Sequence, residues 1–388
     1  MKIRCSIVLL MIDRAKVMKK RLSGKGKKAD FRKSSDNSFP QSRKSVYFCA
    51  KEPMNSNMMK KIIYGAMLTC LCACGSSSET EKHQSSRSEV VKVKDKVKEI
   101  DTEEDVLIGR SSRPYYSEDY LIITDYEAWD GAIHLFDKKD FRYLASTGTK
   151  GPGPYELTNM GHLSIDEERR KLYMTDYGKN KVLSYDMDSV IAMPDAYRHQ
   201  VKARIEEAQF PSDAIYINDT LSYGRVIQPT SFNSFDQMIG KWNMLTGEIK
   251  IIGEKHPEVR NKRSLLDVSM EKEMIVEVYY NCDLMAIMDL EGRVKCYIYG
   301  PDWTKKGLET FGNVMITPNH ILAAYSGDEW ARGRTDKVHV FDLKGNYVKT
   351  LDIGYDIRKC TYDRTHHRLF MIFNDEIQFG YLELKGII

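Results

Sequence analysis

Arg113, His162, Asp213, Asp267, Asn313 and Arg358 fall early in the innermost strands of a repeated unit. A histidine, two carboxylates and an amide brought into one ring could hold a hard divalent cation such as calcium. Without a metal, the same residues make a solvated, hydrogen-bonded wall. A second set is aromatic and cationic: Trp129, Tyr155, Trp303, Trp330, Arg332 and Arg334, all in loops, with three of the four tryptophans among them. Exposed tryptophan and arginine on loops are the residues from which recognition surfaces are built. The competing reading is that the rings pack over the ends of strands. No Ser-His-Asp set, no His-Glu-x-x-His and no paired-carboxylate signature is present. His366 and His367 sit in a tight turn, "DRTHHR", and are expected in solvent.

The elements that must position these residues repeat. A strand, a loop, a second strand ending in Asp or a substitute for it, a short turn and a third strand recur around Asp137, Asp186, Asn243, Asp289, Asp342 and Glu383. The anchors lie 49, 57, 46, 53 and 41 residues apart, and periods of this size with several short strands each are the mark of a β-propeller. Six anchors predict six blades. Segments such as "GHLSID", "DAIYIND" and "IRKCTYD" supply an innermost strand, which makes four strands per blade. Only Asp195–Gln209 has a helical pattern.

The last unit ends at Ile388 without an outer strand, and an open sheet edge is a liability. The alternating segment Glu89–Ile100, "EVVKVKDKVKEI", is expected to supply that strand and close the ring. In a propeller, the loops between blades and those between the second and third strands share one face. Here those loops are long, and they carry the aromatic and cationic set, whereas the opposite turns are short.

The segment "GTKGPGPYEL" resembles the Gly-x-x-Gly-x-Gly-Pro-Gly-Glu turn of Bacteroides-type six-bladed, TolB-like or NHL-like propeller lipoproteins, with Gly148, Gly151, Gly153, Pro154 and Glu156 matching and Tyr155 departing. The resemblance implies an all-β, six-bladed propeller and a cell-envelope lipoprotein, and it implies no reaction. Gluconolactonase-type propellers are metal-dependent enzymes of similar architecture, but no local motif here matches theirs.

Upstream, Lys60-Lys61, a short apolar run and "LCAC" ending at Cys74 follow the order of a bacterial lipoprotein signal peptide. By that resemblance Cys74 is lipidated and becomes the mature N-terminus, in the outer membrane on its periplasmic or outer side. Residues 59–73 are then the signal, 74–88 a Ser-rich tether and 89–388 the propeller. Residues 1–58 carry fifteen Lys/Arg against four Asp/Glu and are expected to be an upstream extension outside the true start. Without them and Lys60-Lys61, the net charge of +4 becomes −9, which argues against nucleic acid as a partner. Cys282, Cys296 and Cys360 lack metal-ligand spacing and are expected as buried free thiols.

The function expected is a non-catalytic, monomeric binding lipoprotein that meets a protein or glycan partner through its loop face. The alternative is a metal-dependent hydrolase or lyase, lactonase-like, with its site in the channel.

Overall fold

Asp137, Asp186, Asn243, Asp289 and Asp342 each end a strand and turn the chain. Their side-chain oxygens accept from backbone N–H groups two to four residues on, as Asp137 does from Lys139 (2.8 Å), Asn243 from Leu245 (3.0 Å), Asp289 from Glu291 (2.9 Å) and Asp342 from Lys344 (2.9 Å). Each is a local turn nucleus of the kind short polar side chains supply. Asp186 instead caps a short helix, Met187–Ala192, accepting from Ser189 N–H at 2.9 Å. This is where the helical expectation fails: the helix precedes Asp195, and Gln200–Arg204 is a strand. Capping at Asp186 decided the position, not the weak periodicity further on.

The computed structural model describes residues 80–102, 106–205, 211–329 and 333–388. Residues 1–79, with the signal segment and Cys74, lie outside them. The strands form six antiparallel four-stranded sheets, two of them extended by a further parallel strand. Blade 1 is Ser112–Tyr116, Tyr120–Asp125, Ile133–Asp137 and Tyr143–Thr147. Blade 2 is Met160–Asp166, Lys171–Asp176, Lys181–Asp186 and Gln200–Arg204. Blade 3 is Ser212–Asn218, Leu221–Ser231, Ser234–Trp242 and Ile249–Ile252. Blade 4 is Ser264–Ser269, Met274–Tyr279, Leu284–Met288 and Val294–Tyr299. Blade 5 is Leu308–Ile316, His320–Glu329, Lys337–Asp342 and Tyr347–Asp352. Blade 6 is Ile357–Asp363, Arg368–Phe373 and Phe379–Glu383, completed by Lys98–Glu99.

Both faces of the middle strands are covered by neighbouring blades, so these strands read as continuous apolar runs. Met274–Tyr279 and Arg368–Phe373 are buried at every position. Six apolar clusters fill the six inter-blade interfaces, ending with Leu121, Phe136, Phe370 and Phe379 between blades 6 and 1. The ring is therefore closed by side chains as well as by a strand.

The N-terminal segment does more than close blade 6. Glu81–His83 runs parallel to Tyr297–Tyr299 on the outer edge of blade 4, and Val90–Lys92 runs parallel to Thr350–Asp352 on blade 5. Only its end, Lys98–Glu99, is the fourth strand of blade 6, antiparallel to Gly380–Tyr381. From Glu81 onward the Ser-rich stretch expected as a tether is thus a strap. Between its first two strands Arg87 is buried: its guanidinium lies 2.9 Å from Asp283 and within 6 Å of the Phe311, Tyr325 and Phe341 rings. The three cysteines are free thiols, with Cys296 and Cys360 buried.

Candidate binding site

The six innermost strands enclose a central cavity of about 440 Å³. Arg113, His162, Asp213, Asp267 and Asn313 all line it, as their position in the repeat predicts. Arg358 does not. The pairing of Ile357–Asp363 with Arg368–Phe373 slips between Ile357 and Lys359, so Lys359 lines the cavity and Arg358 is exposed. A bulge moves every later side chain to the other face, and the sequence pattern does not reveal it.

One corner of the cavity is a charged cluster. Asp213 Oδ1 accepts from Arg113 Nη1 at 2.8 Å and lies 3.3 Å from His162 Nδ1, and its Oδ2 meets Arg225 Nη2. These residues come from blades 1, 2 and 3. Asp213 holds a φ of +51° at an irregular step in its strand pairing, a conformation L-residues other than Asn and Asp rarely adopt. Burial, with the cations Arg113 and Arg225, pushes His162 down to about 3, so its imidazole is neutral. On the neighbouring blade 4, Asp267 accepts from Ile316 N–H (2.7 Å) and Val268 N–H (2.8 Å). Burial outweighs these donors and raises its carboxyl to about 6. Asn313 donates to the Cys360 carbonyl.

This donor set does not suit a divalent cation. Asp213 is already matched to two guanidiniums, Asp267 to two backbone amides, and no group of three or more His, Cys, Asp or Glu close enough to hold a metal ion occurs among the described residues. A hard cation needs about six oxygens, and next to Arg113 and Arg225 it would meet like charge.

The loop face of blades 1 to 3 exposes several large apolar side chains. Trp129 is 80% exposed, in the loop between the second and third strands of blade 1, and Tyr155 is 55% exposed in the turn leading to blade 2. Two residues not anticipated from sequence join them: Leu107 (81%), in the approach to blade 1, and Phe232 (68%), at the tip of the long hairpin of blade 3. The stretch Gln228–Gln237, which reads as a long loop in the sequence, is mostly strand, pairing Gln228 with Asp236 and Pro229 with Phe235 up to the tip. Trp303 departs from expectation. Its ring packs edge-on against Tyr299 (5.0 Å) and His256 (5.4 Å), in the apolar cluster between blades 3 and 4, so it fills the end of a blade. Arg334 is on this face, where Nη2 donates to the Gly354 carbonyl (2.9 Å) and to Asp375 (2.8 Å), tying blade 5 to blade 6. Trp330 and Arg332 lie outside the described residues.

The glycine-rich turn has a physical reason. The Glu156 carboxylate folds back to accept from Gly153 N–H at 2.6 Å, and a Cβ at position 151 would lie 2.1 Å from that carboxylate. Lys179 clamps the Gly153 and Glu156 carbonyls from below. The turn thus holds Tyr155 outward on a rigid base.

A family model described as a 6-bladed beta-propeller, DUF5128, matches residues 79–210, the strap and first two blades. A solved member of the DUF4221 family from Bacteroides vulgatus aligns at a TM-score of 0.50 with 12% identity, over 71% of this chain and 92% of that one. The chain is a six-bladed β-propeller. Two further structures align more loosely. One is an exported protein from Bacteroides fragilis (TM-score 0.46, 9% identity, 78% of this chain and 98% of that one), the other a gluconolactonase from Xanthomonas campestris (0.44, 11%, 71% and 86%). The search of curated proteins returned no match. At such identities the likeness is one of fold, and fold does not carry function.

Proposed function

We propose that this propeller is a lipid-anchored protein of the bacterial cell envelope, related to the TolB-like and NHL-like propellers, that binds a protein or glycan partner through its loop face and performs no reaction. The observation that carries the reading is that Leu107, Trp129, Tyr155 and Phe232, all in loops on one face of blades 1 to 3, are each more than half exposed. The apolar area these four side chains leave exposed is worth roughly 25 cal/mol for each Å² that a partner would cover. The channel supports the non-catalytic part: a histidine held at about 3 is a poor base at neutral pH, and Asp213 is matched to two arginines. The lipobox ending at Cys74 supports the anchor.

The test has two arms. Immobilised protein is offered a glycan array and a detergent extract of the producing cell envelope, beside the Trp129→Ala/Tyr155→Ala variant. Selective capture, lost in the variant while its circular dichroism is unchanged, is the expected result. Capture that is equal for both proteins, or absent in both arms, overturns the reading. Separately, Cys74→Ala is expected to move the protein from the membrane to the soluble fraction.

A further inference from the structure

The cavity corner on blades 1 to 3 stands apart from the loop face and calls for its own account. Four cationic side chains line the channel, Arg113, Arg225, Lys359 and Arg364, against two carboxylates, Asp213 and Asp267. Arg364 is matched by Glu271 at 3.2 Å. Of the two carboxylates that line the cavity, Asp213 is the one paired with Arg113 and Arg225, and one carboxylate does not neutralise two guanidiniums. The wall between them adds no negative charge, since His162 is neutral and Tyr115, 3.5 Å from it, carries a phenol.

The corner is also built with care. Arg225 is fixed from behind by the Ser264 carbonyl (2.8 Å), and Arg113 rests 5.1 Å from the centre of the Tyr126 ring, whose hydroxyl is tied to the Gly161 carbonyl at 2.7 Å. Asp213 meets both arginines from a left-handed backbone at an irregular step of its strand pairing, a conformation that gathers at ligand sites where the surroundings demand it. A guanidinium presents five donors in a fork suited to carboxylate or phosphate. Asp213 engages Nη1 of Arg113, and the Arg113 side chain is still 37% open to the cavity. A volume of about 440 Å³ suits a small molecule.

We propose that this corner of the channel is a binding site for the oxyanion of a small organic molecule, a carboxylate or a phosphate, held by Arg113 and Arg225 with His162 and Tyr115 as further hydrogen-bonding partners. The rival account is a strut that ties three blades together and binds nothing.

Calorimetric titration of the full chain with D-glucuronate, D-glucose 6-phosphate and D-glucose separates the two. The three probes share a sugar ring and differ in carboxylate, phosphate or no charge. Saturable binding of one or both anions, no binding of glucose and weakening with added sodium chloride are expected, and which anion binds names the source. Arg113→Gln should lower the affinity at least tenfold, and Arg225→Lys, which keeps the charge and loses the fork, by less. If Arg113→Gln does not fold, Arg225→Lys decides: unchanged affinity there overturns the site. Failure of both anions to bind, or equal binding by a folded Arg113→Gln protein, leaves the strut as the whole explanation.

Discussion

Two carboxylates show how a single residue's surroundings set its sign in the stability balance. Asp267 has a folded value raised to about 6, chiefly by burial. The native state therefore holds a proton that the unfolded chain has released. The stability this contributes is complete below about pH 4 and is lost as the pH rises through 6. Chemical denaturation from pH 4 to 7 should show that downward slope, and Asp267→Asn should flatten it; an unchanged slope would mean the carboxyl is hydrated in the channel. Arg87 makes the second case. Burial raises the Asp283 carboxyl, with Arg87 opposing it. Arg87→Ala leaves that carboxylate sealed without a counter-charge, which costs about 3–5 kcal/mol. The loss should grow as the pH rises and the carboxyl ionises, since only the charged form suffers. Side chains of this kind are hard to read from a sequence. Arg87 stands in "HQSSRS", where nothing local marks it for burial, because its partners Asp283, Phe311, Tyr325 and Phe341 are brought to it from blades 4 and 5. His366 is a milder instance: it is exposed, as its turn suggests, yet its Nδ1 lies 2.8 Å from Asp363.

Elements were legible to the extent that their causes are local. The six repeated units, the turn-forming Asp137, Asp289 and Asp342 and the absence of an outer strand after Phe379–Glu383 could all be read, since alternation and short-range turn chemistry write them into consecutive residues. The strap could be read only in part. Glu81–His83 and Val90–Lys92 are short and polar, and what holds them is the free edge of strands more than two hundred residues away. Such edges take any backbone that reaches them. The strap's parts should therefore separate on truncation. Removing residues 1–88 takes away Glu81–His83 and Arg87 but spares Lys98–Glu99. That protein should still fold as a ring, with lower stability and with faster hydrogen exchange centred on the outer strand of blade 4 and on the Arg87 contacts between blades 4 and 5. Removing residues 1–100 also opens blade 6, and should give aggregated or unfolded protein. Equal stability of the two truncations would show that the single pairing at Lys98–Glu99 does not close the ring.

The whole molecule depends on the seam between blades 6 and 1, the one place where sheet neighbours come from the two ends of the propeller. An apolar cluster fills it, and a polar latch closes its turn-side end. Lys138, from the turn after Ile133–Asp137, donates to the Ser117 carbonyl and Thr365 (both 2.9 Å) and lies 3.6 Å from Asp363. Arg368 Nε donates to Asp363 at 3.0 Å, and its Nη2 reaches the Lys138 carbonyl. Both cations and the carboxylate are nearly sealed from water, with side-chain exposures of 5%, 6% and 1%. Burial alone would raise the Asp363 carboxyl, but His366, Lys138 and Arg368 together outweigh it and hold it below the usual range. A depressed carboxyl contributes stability that is present above about pH 4 and is lost as the pH falls through its folded value. The seam is accordingly the expected point of acid failure, opposite in sign to Asp267. Asp363→Ala tests this directly, because it strands two buried cations on either side of the joint. Its loss of about 3–5 kcal/mol should appear at neutral pH, with exchange accelerating first in Arg368–Phe373 and Tyr120–Asp125, the strands that face each other across the joint. As the pH falls through the folded value of Asp363 and the native carboxylate is itself protonated, variant and parent should converge. If the variant instead unfolds uniformly around the ring, or keeps its deficit at low pH, the blades act as one cooperative body and the seam is no weaker than the other five interfaces.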